Sequence, residues 1–235
     1  CAVYNMIRLA DYLFRWTGDV KYSDYIERNL YNGILAQQNP STGMITYFLP
    51  LEAGARKRWG HSTYDFWCCH GSLVQAHAMH NSLIYYSDRG GITVAQYIPS
   101  VITMKIGGRE IYIEQSFDQQ NCGAADNNSS AAGPRHRPKS WVVNIKVKSS
   151  RPAEMSLRLR IPCWSKGQPV LAVNGKQQPV SCGIPGFAEI KRTWKDDSVR
   201  LEIPKGPSTA EIPDEPATVA FLDGPVVLAG LCDKE

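Results

Sequence analysis

The sequence has no run of about 18 consecutive apolar residues, the length that a membrane-spanning helix needs. It therefore predicts no membrane span. It also has little net charge: the formal value is +4, and Lys and Arg are scattered among acidic residues. Because nucleic-acid binding needs a basic patch or stripe, we expect no nucleic-acid partner. No internal repeat at a solenoid period is visible.

The chain lacks an initiating Met and a charged segment ahead of an apolar stretch, and it enters a helical pattern directly at Cys1. We expect the natural N-terminus to lie upstream, so the missing signal peptide says nothing about the compartment. The seven cysteines are odd in number and unevenly spaced, which argues against a disulfide framework. Adjacent cysteines such as Cys68 and Cys69 rarely bridge each other because the ring is strained, which favours metal binding or a reactive thiol.

Helical periodicity dominates the first 90 residues. Apolar residues recur at spacings of three and four over residues 2–16, which predicts a helix with a buried face of Met6, Leu9, Leu13 and Trp16. A second helix is predicted over residues 22–37, with an inner side formed by Tyr25, Leu30 and Ile34. Residues 44–49 have strand character, and a third helix is predicted over residues 72–86. Its N-terminal amides would favour thiolate at the preceding Cys68 and Cys69.

After residue 90 the pattern changes to short alternating or β-branched runs separated by turns, such as Asn174-Gly175. We therefore predict a β-sandwich over residues 91–235 and a domain boundary near Gly90. Residues 121–139 are rich in Asn, Ala, Ser, Gly and Pro and have no periodicity, so we expect a mobile loop there.

The pair Cys68-Cys69 by itself leaves two interpretations open, a metal site and ordinary buried cysteines. The surrounding sequence favours the first. It includes Cys-Ala-Val-Tyr-Asn-Met at the start, Thr-Gly-Met-Ile-Thr-Tyr-Phe at residues 42–48 and Phe-Trp-Cys-Cys-His-Gly at residues 66–71. Later segments are Arg-Leu-Arg-Ile-Pro-Cys-Trp at residues 158–164 and Asp-Gly-Pro-Val-Val-Leu-Ala-Gly at residues 223–230.

With these segments the sequence resembles glycoside hydrolase family 127 and its relatives, the β-L-arabinofuranosidase-like enzymes. The resemblance implies an α+β multidomain fragment: residues 1–90 would be the C-terminal part of an (α/α)6 barrel, and residues 91–235 an antiparallel β-sandwich. It also implies a zinc ion held by Cys1, Cys68, Cys69 and a glutamate upstream of Cys1. Zinc favours thiolate ligands and forces their deprotonation.

The same resemblance implies that Cys68 is the catalytic nucleophile of a retaining exo-glycosidase and forms a glycosyl-cysteine intermediate, a role that carboxylates usually fill. The general acid would be a glutamate upstream of the chain, so we expect this fragment alone to be inactive. Tyr47 corresponds to a family tyrosine at the sugar, although a half-buried strand aromatic explains it equally well. The implied substrate is an oligosaccharide or glycoconjugate.

Two other hypotheses remain open from the sequence. Cys1, Cys68 and Cys69 are also compatible with a zinc-stabilised structural or carbohydrate-binding module without catalysis. A thiol redox protein would instead oxidise Cys68 and Cys69 reversibly without a bound metal. His77 and His80 lie three residues apart on the third predicted helix, and we expect surface roles for them rather than metal ligation.

Overall fold

The computed structural model describes residues 1–50, 52, 54–118 and 137–230. The predicted loop over residues 121–139 therefore lies mostly outside the described residues. The chain divides into two compact units, a helical unit made of Cys1–Leu83 with residues 207–230 and a sheet unit made of Ile84–Gly206. The sequence did not predict that the last strands would group with the helices. None of the described helices combines the length and the apolar character needed to cross a membrane.

The described residues of the helical unit form three α-helices, α1 (Ala2–Thr17), α2 (Val20–Asn29) and α3 (Cys68–Met79). The break between the first two is formed by Gly18, whose φ of 67° ends α1 in the left-handed conformation. Asp19 begins α2, where its carboxylate accepts a hydrogen bond from the Lys21 N–H. The chain continues after α2 as a π-helical turn (Leu30–Ile34) and a 3-10 turn (Leu35–Gln37), and after α3 as a 3-10 turn (His80–Leu83).

The predicted buried face of α1 is exposed in this chain. Met6, Leu9 and Trp16 are exposed by 44%, 47% and 77%. The apolar residues that are buried instead are Tyr4, Ile7, Ala10 and Phe14. Both sets recur at spacings of three and four. Periodicity therefore identifies the helix but does not decide which of its two apolar sides packs against α2 and α3.

The other helical predictions need smaller corrections. Leu30 and Ile34 are buried as predicted, but Tyr25 is 38% exposed. The third helix begins before residue 72, because Cys68 and Cys69 are its first two residues. Its predicted end at residue 86 is also wrong, since residues 85 and 86 already belong to a strand. Residues 44–49 form isolated bridges, at residues 45 and 46, rather than a regular strand.

In the sheet unit, the residues that the structure describes form an eight-stranded sheet. Its strands are β1 (Tyr85–Asp88), β2 (Gly91–Val94), β3 (Ser100–Ile106), β4 (Arg109–Phe117), β5 (Ser140–Ile161), β6 (Val170–Val173), β7 (Lys176–Gln178) and β8 (Gly186–Pro204). The order is β1-β2-β5-β8-β6-β7, with β4 also paired to β5 and β3 paired to β4. The prediction of a purely antiparallel arrangement is wrong, because β2 runs parallel to β5. A four-residue apolar run carries no signal of strand direction.

The long strands β5 and β8 form a ribbon that runs through the sheet unit. Their pairing shifts register between Lys148 and Ala153, an irregularity of the kind that bends a strand. Strands β4 and β6 pair with the part of this ribbon on one side of the shift, and β2 pairs with the part on the other side. Buried residues of both parts belong to one hydrophobic cluster, among them Val143 and Val147 before the shift and Leu157 after it. One core therefore holds both parts of the ribbon.

Residues beyond 206 form a small antiparallel sheet in the helical unit, with strands β9 (Pro207–Ile212), β10 (Glu215–Asp223) and β11 (Val226–Val227) in the order β11-β10-β9. The turn between β10 and β11 is hydrogen-bonded to one side chain of the helical segment, Asn32. The Asn32 amide donates to the Pro225 carbonyl at 2.8 Å and accepts from the Val227 N–H at 2.9 Å. Asn32 thereby satisfies both an acceptor and a donor of that turn.

Candidate active site and metal centre

Three cysteine thiols come together at one end of the helical unit. The Sγ atoms of Cys1, Cys68 and Cys69 all lie within 4.8 Å of one another. Cys1 and Cys68 are exposed, whereas Cys69 is buried. The cluster therefore has one residue anchored in the core and two that solvent reaches.

The positions of these thiols follow from where two helices begin. Cys1 is the residue that precedes α1, and Cys68 and Cys69 open α3. Consecutive residues on a helix point in different directions, which explains why one member of the pair is buried and the other exposed. The first-turn amides and the positive dipole end of α3 favour negative charge at Cys68 and Cys69.

His70 caps the helix that carries the pair. Its Nδ1 accepts a hydrogen bond of 2.9 Å from the Trp67 backbone N–H, while the His70 N–H donates to the Trp67 carbonyl at 3.0 Å. The same Nδ1 also lies 3.3 Å from the Trp67 carbonyl oxygen, so its contacts are all with the residue that precedes the helix. His70 thus fixes the entry into α3.

Ser72 is a member of the cluster that the sequence did not predict. Its Oγ donates to the Sγ of Cys1 at 2.9 Å. Ser72 follows Cys68 by four residues, a spacing that places both on the same side of α3. That spacing was a usable signal, but its partner Cys1 is distant in sequence, so the contact itself depends on how the helices pack.

The donor set fits a zinc ion. Tetrahedral zinc binds thiolate sulfur at about 2.3 Å, which separates neighbouring sulfur ligands by roughly 3.8 Å. The spread of Sγ atoms, at most 4.8 Å, is compatible with that separation after small side-chain rotations. The cluster of Cys1, Cys68 and Cys69 could therefore bind a metal ion with a soft, thiolate-preferring character.

Tyr47 lies beside the residue that precedes the pair. Its ring packs edge-on against Trp67, with centroids 5.4 Å apart and an interplanar angle of 87°. Gly60 makes room for the Trp67 ring, because a Cβ there would lie only 3.1 Å from it. Tyr47 remains 39% exposed.

The histidines of α3 and its following turn do not join the thiols. In the described part of the chain, the cysteine trio is the one group of three or more potential ligands. The rings of His77 and His80 lie 5.1 Å apart. Burial lowers the pKa of His80, and the neighbouring His77 lowers it further.

The fold and the site define a chain in which a helical segment with a thiol cluster is followed in sequence by a mixed β-sheet. A family model described as beta-L-arabinofuranosidase, GH127 catalytic domain, matches residues 1–82, and one described as the GH127 middle domain matches residues 91–205. Together they match most of the sequence. The chain belongs to glycoside hydrolase family 127. No curated protein gives a significant match.

Solved structures share the fold. A GH127 beta-L-arabinofuranosidase from Geobacillus stearothermophilus T6 is 24% identical, with a TM-score of 0.74, over 95% of this chain and 35% of that one. A structure described as a glycoside hydrolase is 22% identical, with a TM-score of 0.76, over 97% of this chain and 37% of that one. A GH127 beta-arabinofuranosidase is 22% identical, with a TM-score of 0.75, over 97% and 36%. The chain therefore spans little more than a third of their length.

Proposed function

We propose that the chain is part of a larger retaining glycoside hydrolase, a zinc-dependent β-L-arabinofuranosidase-like exo-enzyme in which Cys68 is the nucleophile. The main observation in its favour is the convergence of three thiols in which Cys68 is exposed and Cys69 buried. Membership of the family and the length of the related structures support it. The substrate would be an oligosaccharide or glycoconjugate ending in L-arabinofuranose.

Residues 1–90 would then be the C-terminal part of an (α/α)6 barrel, whose other helices belong to the rest of the protein, and residues 91–235 a β-sandwich domain. The outer face of α1 supports the barrel. Leu9, Tyr12 and Trp16 leave 47%, 49% and 77% of their surfaces exposed on a helix whose opposite face is already packed. An apolar stripe of this kind is typical of a helix that packs on two sides.

Exposure favours Cys68 as the attacking thiol. Cys69 is buried in the protein core, where a sugar cannot reach it, and the Sγ of Cys1 already accepts the Ser72 hydroxyl. Cys68 is exposed at the start of α3, where the helix terminus favours thiolate. Zinc held by the three cysteines would keep their sulfurs deprotonated at neutral pH.

The reaction would proceed in two displacements at the anomeric carbon. The Cys68 thiolate forms a C–S bond as the glycosidic C–O bond breaks, and an acid elsewhere in the complete protein gives its proton to the leaving oxygen. Water then forms a C–O bond as the C–S bond breaks, and its proton returns to that group while Cys68 recovers its thiolate. Two inversions retain the anomeric configuration.

Tyr47 would contact the sugar during these steps. Its ring packs on Trp67, directly before Cys68, and part of its surface is left for a ligand. A tyrosine offers both an apolar face and one hydroxyl, which suits the mixed surface of a sugar. Tyr47 would therefore orient the ring for attack.

The test is Cys68→Ser in the complete protein, with hydrolysis of an aryl β-L-arabinofuranoside as the assay. Removal of a nucleophile should lower kcat by about a thousandfold or more. Cys163→Ser is the matched control, since Cys163 is an exposed thiol outside the helical unit, and it should retain parental activity. Intact mass and peptide mapping after treatment with a cysteine-directed arabinofuranosyl electrophile should place the label on Cys68.

Two results would contradict the proposal. Labelling at a residue other than Cys68 would remove the assigned nucleophile. A Cys68→Ser protein that loses folding stability but retains turnover per folded molecule would instead identify the cluster as a structural zinc site.

A further inference from the structure

The Ser72 hydroxyl donates its hydrogen bond to a thiol of the cluster, and not to a backbone carbonyl of its own helix. A serine in a helix often donates to the carbonyl four residues earlier, which here belongs to Cys68. The hydroxyl has one proton, and the structure directs it to the Cys1 Sγ at 2.9 Å. The bond therefore joins the first turns of α3 to the residue that opens α1.

The strength of this bond depends on the state of the sulfur. A thiol is a weak acceptor, whereas a thiolate is a charged acceptor that makes shorter and stronger hydrogen bonds. Coordination of Cys1 to a metal as thiolate would thus strengthen the contact from Ser72. Groups that hydrogen-bond to metal ligands orient them and adjust their electron density.

We infer that Ser72 is a positioning residue, which holds Cys1 in place as a metal ligand and thereby fixes the metal against Cys68. This inference rests on the proposed zinc site. Ser72 and Cys68 share one side of α3, so a single rigid segment determines the positions of both the hydrogen-bond donor and the nucleophile. The hydroxyl acts on the nucleophile through Cys1 and the metal, not by contact with the reacting atoms.

The experiment compares Ser72→Thr with Ser72→Val in the complete, zinc-loaded protein. Threonine and valine have the same shape, but only threonine keeps the hydroxyl. The primary measurement is zinc affinity by competition with a chromophoric chelator, and the second is the sulfur-to-metal absorption of the cobalt-substituted protein. Ser82→Ala is the control, because the Ser82 hydroxyl donates to the Met79 carbonyl at 2.8 Å and not to a sulfur.

We expect the valine variant to bind zinc about 10–100-fold more weakly than the threonine variant, with a shifted cobalt absorption band. Its kcat should fall while KM stays close to the parental value. The threonine variant and the Ser82→Ala control should remain near the parent. Ser72→Ala serves as a second hydroxyl-free variant if valine prevents folding, and it should match the valine result.

Equal zinc affinities and identical cobalt spectra for the threonine and valine proteins would overturn the inference. Equal affinities in a protein that binds zinc, and in which Cys68→Ser is inactive, would remove only the role of Ser72 and leave the proposed function standing. If the parent protein contains no zinc and binds none, both the inference and the proposed zinc site fail.

Discussion

Gly91 is a position at which the structure leaves no room for a single methyl group. A Cβ built on it would lie 1.9 Å from the Ser156 carbonyl oxygen and 2.9 Å from the Ser156 nitrogen. Favourable contacts between heavy atoms begin at roughly 3.5 Å. The obstacle is backbone of the adjacent strand, so no side-chain rotation can relieve it. Gly91→Ala must therefore displace β2 from β5.

The size of the effect follows from what β2 carries. If the two strands shift apart slightly, overpacking costs about 1–3 kcal/mol. If β2 separates, the side chains of Ile92 and Val94, both 0% exposed, lose their burial at about 1.5–3 kcal/mol each, or roughly 3–6 kcal/mol together. We expect a loss of unfolding free energy between these limits.

Urea unfolding followed by tryptophan fluorescence measures this loss, and amide hydrogen exchange locates it. Protection should fall at residues 91–94 and at residues 156–159, the two sides of the parallel pair. Gly167→Ala in the same unit is the matched control, because a Cβ at Gly167 meets no atom within 4 Å. It should change stability by less than about 0.5 kcal/mol. A Gly91→Ala protein as stable as this control would refute the close approach of the two strands.

Three further outcomes are expected. Burial and the neighbouring His77 lower the pKa of His80 in the folded state. The neutral His80 therefore contributes to stability above its ordinary pKa of about 6.5, and this contribution is lost as pH falls through the folded-state pKa. Thermal unfolding should therefore show that His80→Leu loses less stability than the parent between pH 7 and 5. Arg160→Met should lower the unfolding free energy by about 1–3 kcal/mol in urea, because the buried Ala95 carbonyl loses the donor Arg160 Nε. Removal of zinc from the complete protein by a chelator should lower both hydrolysis and the melting temperature, and added zinc should restore both.

The sequence predicts the thiol pair better than it predicts the face of α1. Cys68 and Cys69 are adjacent, so their proximity needs no knowledge of the fold, and the structure places Cys1 next to them. The choice between the Met6 and Ile7 faces of α1 depends instead on which neighbours are present. In a helix that is apolar on two sides, local spacing gives no reason to prefer either.

The sheet shows a similar limit. Strand character after residue 90 follows from β-branched and alternating residues, and the structure contains strands over most of the described residues there. The parallel pairing of β2 with β5 was not predictable, because it depends on the path of the chain between them and on the absence of a side chain at Gly91. Neither property is encoded in the alternation of side chains.

The geometry of the thiol cluster is a consequence of how α1 packs on α3. Two side-chain hydrogen bonds join these helices. The Ser72 hydroxyl donates to the Cys1 Sγ, and the Tyr4 hydroxyl donates to the Met79 sulfur at 3.1 Å. Tyr4 lies about one turn after Cys1, and Met79 about two turns after Ser72, so α1 contacts α3 at two places along α3. Because Cys68 and its neighbour Cys69 are part of α3, any change in this packing moves Cys1 relative to both. The contact between Tyr4 and Met79 therefore contributes to the geometry of the site through the helix that it orients, at a distance from the sulfurs themselves.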